Sequence, residues 1–459
     1  MGIFGALTTS VAGLRAESYA LENISGNIAN SQTTAFKRID TSFLDLIPET
    51  GPTQQKAGSV TSNSRSTNTV QGDVQSASVS TYMAINGSGF FVVQKPGNFS
   101  DNAPIFDGVE NYTRRGDFTL NKDGYLVNGA GYYLEGIPID PTTGNLVGSA
   151  PQILKFKNDF LPAQATSKVE YRANLASYPL TTKHDVSVPG SELLAAADFT
   201  SDPTVAGTGK VIGSDVQTFI DESIAGGAVT AYDVSGAPVN LQFRWAKTDS
   251  ASLGAGHTDT WNMFYQVDPN ATGTDTAWQN VGTDFTFGAN GQPNPAVASV
   301  TLTGATVNGV SLGNPVVNFS SGGLTQYADA NGNVQVNQIQ QDGFPAGSLQ
   351  SVSISNNGRV VGNYSNGRNL DLAEITLATF NGPDFLKRKD GGAFEATDES
   401  GQALFGNGGT IVGSSLEGSN TDIADEFTKL IVTQQAYSAN TKVITTSNQM
   451  VQDLLNVLR

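Results

Sequence analysis

The two ends of this chain carry an apolar stripe at helical spacing, and the long middle does not. From the N-terminus the stripe runs Phe4, Leu7, Val11, Leu14, Ser18, Leu21, Ser25 and Ile28. Near the other end it runs Ile423, Phe427, Leu430, Gln434, Tyr437, Thr441, Ile444, Asn448, Val451, Leu455 and Leu458. Alternating steps of three and four are the a/d seam of a coiled coil. A stripe this narrow does not hold a lone helix together in water. The ends are therefore expected to pair with each other, with neighbouring copies, or with both. Gly2, Gly5, Gly13 and Gly26 weaken the first helix further. In the second, the d positions are all apolar or aromatic, whereas Gln434, Thr441 and Asn448 place polar groups at a. Such residues penalise wrong registers; facing a hydrated central channel is the equal alternative.

The middle reads as strands and turns. Met83, Ile85 and the run Phe90-Phe91-Val92-Val93 flank Asn86-Gly87-Ser88-Gly89. Asn121-Lys122-Asp123-Gly124, Asp233-Val234-Ser235-Gly236 and Asn356-Asn357-Gly358 separate other apolar runs. These are hairpin signals, with Gly where a positive φ is required. Val239, Leu241, Phe243 and Trp245 alternate with polar residues, as do Trp261, Met263, Tyr265 and Val267, the pattern of half-buried strands. The fold class is mainly β with long terminal α-helices, in a nested multi-domain arrangement. Residues 1–30 and 421–459 form a terminal helical assembly domain, and 31–70 and 398–420 are linkers or extended arms. Residues 71–150 and 324–397 form a discontinuous β domain, which carries an inserted all-β domain over 151–323. The first arm holds one short anchor, Leu44, Leu46 and Ile47 before Pro48.

Composition narrows the function classes. The net charge of −17 repels phosphates and argues against nucleic acid. No segment approaches the ~18 apolar residues of a membrane helix, so membrane insertion is not expected. Met1 to Leu7 carries no Lys or Arg and no long apolar core follows, so an ordinary export signal is absent. The chain has no cysteine, which removes disulfides, thiolate metal sites and cysteine catalysis. His184 and His257 sit in polar surroundings and read as surface residues. Ala206-Gly207-Thr208-Gly209-Lys210-Val211 lacks the Ser or Thr that a phosphate loop needs after its Lys. Asn121 to Gly124 and Asp329 to Asn333 lack the bidentate Glu of a calcium loop and read as turns. No catalytic, cofactor or metal site is expected. A secreted β-rich enzyme or glycan-binding protein is the alternative class, and it leaves the paired terminal seams unexplained.

The stretch Asn27-Ile28-Ala29-Asn30-Ser31-Gln32-Thr33-Thr34-Ala35-Phe36-Lys37-Arg38 closely resembles the signature of the axial proteins of the bacterial flagellum. The family form has Gly where this chain has Ala35. Ala84 to Val93, Tyr112 to Phe118 with Gly124 to Val127, Val361 to Gly367, Leu416 to Asp422 and Gln434 to Asn440 resemble further family motifs in the same order. The likeness covers roughly 1–150 and 324–459, and the length and insertion favour the hook branch of the family over the distal rod branch. The resemblance implies a homopolymer, a curved flexible tube acting as a universal joint between motor and filament, with the terminal helices as its inner wall. It also implies distal rod, hook cap and hook–filament junction proteins as partners. Export would run through the flagellar type III apparatus to the cell exterior without a cleaved signal peptide.

Overall fold

The structure, a computed structural model, describes residues 3–46, 58–101, 103–141, 143–156, 160–406 and 408–457. Ile47 and Pro48 of the first arm, and Leu458 of the C-terminal seam, lie outside the described residues. Among the described residues there are three α-helices: α1 (Ile3–Ala29), the short α2 (Val216–Asp221) and α3 (Ile423–Val457). The chain divides into two compact units, one formed by 1–159 with 349–459 and the other by 160–348.

In the first unit, α1 and α3 pack side by side and run antiparallel. The buried stripe of α1 is Ser10, Gly13, Ala16, Ala20, Ile24 and Asn27. The first four of these are small, so the backbones approach closely there. A Cβ added to Gly13 would lie 2.8 Å from the Asn440 side chain. Strands β1 (Ile39–Leu46) and β2 (Ser59–Ser66) then form an antiparallel hairpin against α1. The sequence left this stretch open as linker or extended arm. Its strand-forming signal is weak because β2 is mostly Ser, Thr and Asn. The hairpin is tied to α1 by polar contacts, Asn23 Nδ2 to Thr41 Oγ1 at 2.9 Å and Tyr19 with Ser64.

The β part of this unit is built on β3 (Val74–Ser76), β4 (Met83–Asn86), β5 (Phe90–Ser100) and β6 (Ala103–Thr113). β5 pairs with β6, with Tyr133–Pro138 and with Leu377–Thr379. Its first four residues are buried on both faces, which is why they read as an unbroken apolar run. Phe91 and Val93 join Met83, Ile85 and Leu134 in one core, and Phe90 and Val92 join Tyr112, Phe380 and Phe394 in another. The chain returns for closure: 410–413 pairs with β4, and 415–417 with β3. The turns at 121–124 and 356–358 each join two paired strands, as the sequence predicts. The turn at 86–89 does not close a hairpin, because β4 and β5 pair with different strands. Gly87 and Gly89 do have positive φ, but there they redirect the chain beside the backbone of Gly408 and Gly409.

The second unit holds a five-stranded antiparallel sheet in the order 210–212, 276–287, 259–266, 238–249, 224–232. The turn at 233–236 joins the last two of these strands. Val239, Leu241, Phe243 and Trp245 point into one core with Trp261, Met263 and Tyr265. The strand Asp259–Gln266 is buried on its other face too, where Phe264 meets Phe219 of α2 and Trp278. A second sheet centres on Lys168–Ala176, flanked in parallel by 316–318 and 324–327 and antiparallel by 335–341. That last pairing carries this unit on to 348, whereas the sequence placed the return at 324. Trp245 Nε1 donates to the Tyr171 hydroxyl at 2.9 Å, and that hydroxyl donates to the Gly226 carbonyl at 2.7 Å, so these two buried aromatic tips are satisfied.

One buried carboxyl in the first unit has a pH consequence. Burial pushes Glu135 up to about 7, and the neighbouring Glu110 pushes the same way. Between the unfolded value near 4.5 and 7 the folded state keeps a proton that the unfolded chain releases, so stability falls as pH rises through that window. Glu135→Gln is expected to abolish this slope and to raise the unfolding midpoint of the first unit at pH 8, by the equivalent of about 1–3 kcal/mol. Urea titrations at pH 5 and pH 8 check it, and an unchanged slope in the variant would exclude Glu135 as its source.

Candidate assembly interface

Both chain ends enter the first unit through one buried polar joint. α1 ends beside Asn30, whose Nδ2 donates to the Gly26 carbonyl at 2.9 Å and whose Oδ1 accepts from Thr33 Oγ1. Ala29 is exposed. Asn27, almost fully buried, joins three elements. Its Nδ2 donates to the Ile39 carbonyl at 2.9 Å and to Glu426 Oε2 of α3 at 3.0 Å, and its Oδ1 accepts from the Ile39 N–H at 2.9 Å. Lys429 then bridges Glu426 and Asp40 at 2.8 and 3.2 Å.

Asn420 plays the matching part in the segment between the last strand and α3. Its Oδ1 accepts from the Arg38 N–H at 2.7 Å, and its Nδ2 donates to the Thr67 and Val70 carbonyls. The Phe36 ring lies under the Arg388 guanidinium at 5.9 Å. At the centre, Lys37 Nζ meets Glu417 Oε1 at 2.5 Å, and Arg114 Nη1 meets Glu417 Oε2 at 3.3 Å. All three side chains are withdrawn from water. The Val70 carbonyl accepts from Lys37, the Gly87 carbonyl accepts from Arg114, and the Gly72 N–H donates to Glu417. Burial lowers the Lys37 and Arg114 pKa values, and the Glu417 carboxylate opposes that shift in both. Of the motif residues Asn27, Ala29, Asn30, Phe36 and Lys37, four take part in this joint or in the helix end beside it. The partners Glu417, Asn420 and Arg114 stand in the other motif stretches, but nothing local in the sequence links them to Lys37. Glu426 and Arg388 carry no sequence signal.

The turn before Phe36 has Ala35 at φ +54°, buried, with its N–H donating to the Glu417 carbonyl at 2.9 Å. This left-handed conformation suits the Gly of the family form.

The seam residues read from the sequence lie beside the α1–α3 contact. Phe4 is 75% exposed and Val11 is exposed, whereas Leu7, Leu14, Leu21 and Ile28 are half-buried. The buried stripe is turned by one residue, about 100° around the helix, because the small side chains face α3. On α3, Leu430, Ile444 and Val451 are half-buried. Ile423, Phe427, Gln434, Tyr437, Thr441, Asn448 and Leu455 are exposed, Phe427 by 51%. The apolar members of this set leave oily surface in water.

No helix among the described residues is long and apolar enough to cross a membrane. No group of three or more His, Asp or Glu among them is placed to hold a metal ion. His257 Nδ1 lies 2.8 Å from Asp249 on the surface, and His184 is bonded to the Thr181 carbonyl. Asn121 and Asp329 each cap their own turn by accepting backbone N–H groups.

Glu417→Gln leaves Lys37 and Arg114 buried without a counter-charge. The expected loss is about 3–5 kcal/mol in the first unit, with the second unit's unfolding transition unmoved in calorimetry. Loss below 1 kcal/mol would show the joint to be hydrated. At position 35, Ala35→Gly should change stability by less than about 1 kcal/mol, because lost strain offsets added chain entropy. Ala35→Val, β-branched at positive φ, should cost more than about 2 kcal/mol. Equal midpoints for the two variants would contradict the left-handed turn.

Three family models match the chain. They are the flagellar hook protein FlgE/F/G D1 domain over 84–167, the flagellar basal body protein FlaE D2 domain over 224–344, and the flagellar basal body rod FlgEFG protein C-terminal region over 412–457. The flagellar hook protein FlgE of Brucella melitensis is 30% identical over 464 residues, covering all of both chains. That of Salmonella typhimurium is 29% identical, covering 98% of each, and that of Escherichia coli is 29% identical, covering 98% of this chain and all of its own. The crystal structure of Helicobacter pylori flagellar hook protein FlgE2 aligns with 75% of this chain and all of its own at 16% identity and a TM-score of 0.49. The chain belongs to the flagellar hook protein FlgE family and is a structural subunit of the bacterial flagellar hook.

Proposed function

We propose that this subunit polymerises into a curved, flexible tube that carries motor torque to the filament as a universal joint. The observation that carries the reading is the outward face of α3. Ile423, Phe427, Tyr437 and Leu455 are large and exposed, and exposed apolar surface of this kind is removed from water by association. The terminal helices form the inner wall in a coiled-coil-like packing between copies, through the stripes from Phe4 to Ile28 and from Ile423 to Leu458. The β units form the outer layers. Gln434, Thr441 and Asn448 either set register or face the channel. Distal rod, cap and junction proteins meet the ends of the tube, and export through the type III apparatus delivers the subunit outside the cell without a cleaved signal peptide.

Electron microscopy of the concentrated full-length protein tests this reading. Tubes are expected from the wild-type chain. Phe427→Asp, which puts a charge on the outward face, should abolish them and leave the β units folded. Tubes of normal abundance from that variant would remove α3 from the contact, and their absence from the wild type at all concentrations would overturn the reading.

A further inference from the structure

The antiparallel helix pair is uneven at its free end. The Asn27–Glu426 hydrogen bond and the approach of Gly13 to Asn440 set one register, which puts the first residues of α1 level with Met450. The last two turns of α3 therefore run past Ile3, the first described residue of α1, by about 10 Å at 1.5 Å per residue. In this overhang Met450, Asp453 and Leu454 share one helix face at steps of three and four. Met450 and Leu454 are 53% and 57% exposed, and Asp453 is exposed and has no ion-pair partner among the described residues.

On its other side α1 forms a groove with the β1–β2 hairpin, about 630 Å³ in volume. Leu7, Val11, Leu46 and Val60 contribute apolar walls, and Arg15 stands among them. Arg15 too has no ion-pair partner among the described residues. The groove thus offers a cation between apolar walls, and the overhang offers a carboxylate between apolar side chains.

We infer that the α3 overhang of one copy seats in the α1–hairpin groove of the next, with Asp453 paired to Arg15. The inference rests on the polymer reading above and names the contact that builds it. The two surfaces are different patches, so the contact is heterologous. Contacts of that kind do not close into a twofold dimer; they continue into rings or helical filaments. A partly desolvated ion pair flanked by apolar contacts also fixes which surfaces meet.

Charge reversal in the full-length chain tests the pairing, with polymer measured by sedimentation and folding of the β units by circular dichroism. Arg15→Asp and Asp453→Arg should each raise the critical concentration for assembly about tenfold or more, about 1.4 kcal/mol per tenfold. The combined R15D/D453R chain should return to within about threefold of wild type. A wild-type chain that polymerises beside single variants of unchanged critical concentration overturns the contact and leaves the polymer reading standing. So does failure of the combined chain to recover. A wild-type chain that never polymerises overturns both. Because the native chain has no cysteine, V11C and L454C can also be mixed before assembly and oxidised. Disulfide-linked dimers are expected only from the mixture, and their absence from assembled material counts against the contact.

Discussion

Glu417 holds two cations on one carboxylate that water does not reach. Lys37 comes from the stretch after α1, Arg114 from the end of β6, and Glu417 from the strand that leads into α3. Lys37 and Glu417 are 380 positions apart. Removing Glu417 leaves two buried cations without a counter-charge, which costs far more than the intact group contributes, whereas removing either cation leaves one buried ion pair. The joint thus depends most on its one carboxylate. It makes the exit of the first helix and the entry of the last one a single feature. Asn27 and Asn420 extend the same logic, since each amide satisfies backbone groups from distant stretches that would otherwise be buried without partners.

This arrangement separates two tasks. The β units bury most of the apolar surface, in cores of aromatic and branched side chains. The helices bury little, because their mutual contact is a strip of small residues, and they leave much of their apolar content outside. A directed polar joint then orients a pair of helices whose own packing energy is modest. Hydrogen bonds and ion pairs suit that role because they are directional, whereas apolar contact alone would tolerate sliding. An axial subunit that transmits torque gains from a joint that fixes angle as well as attachment.

How far the sequence could be read depended on the range of the interactions involved. Alternation at 239–245 and the turns at 121–124, 233–236 and 356–358 are local, and the chain folds as they indicate. The turn at 86–89 has the same glycines, yet its flanking strands find partners elsewhere, Ile85 with Ile411 and Phe91 with Thr113. The pairing of β1 with β2 was obscure because the second strand is polar and packs on α1. The apolar stripe of α1 was visible, but close backbone approach favoured Gly13, Ala16 and Ala20 for the contact with α3. That choice depends on the partner's shape, which periodicity does not encode.

The sequence alone determined that the ends are helices with oily surface to spare, that the middle is β, and that no thiol chemistry is available. Those properties follow from side-chain period, turn residues and composition, all of which act over a few residues. The tertiary structure alone decided which face of α1 meets α3, why position 35 needs a left-handed backbone, and that Lys37 and Arg114 share Glu417. Each of these depends on groups hundreds of positions apart being brought within hydrogen-bond reach. The cost of burying an unpaired charge then selects an arrangement in which both cations reach the same carboxylate.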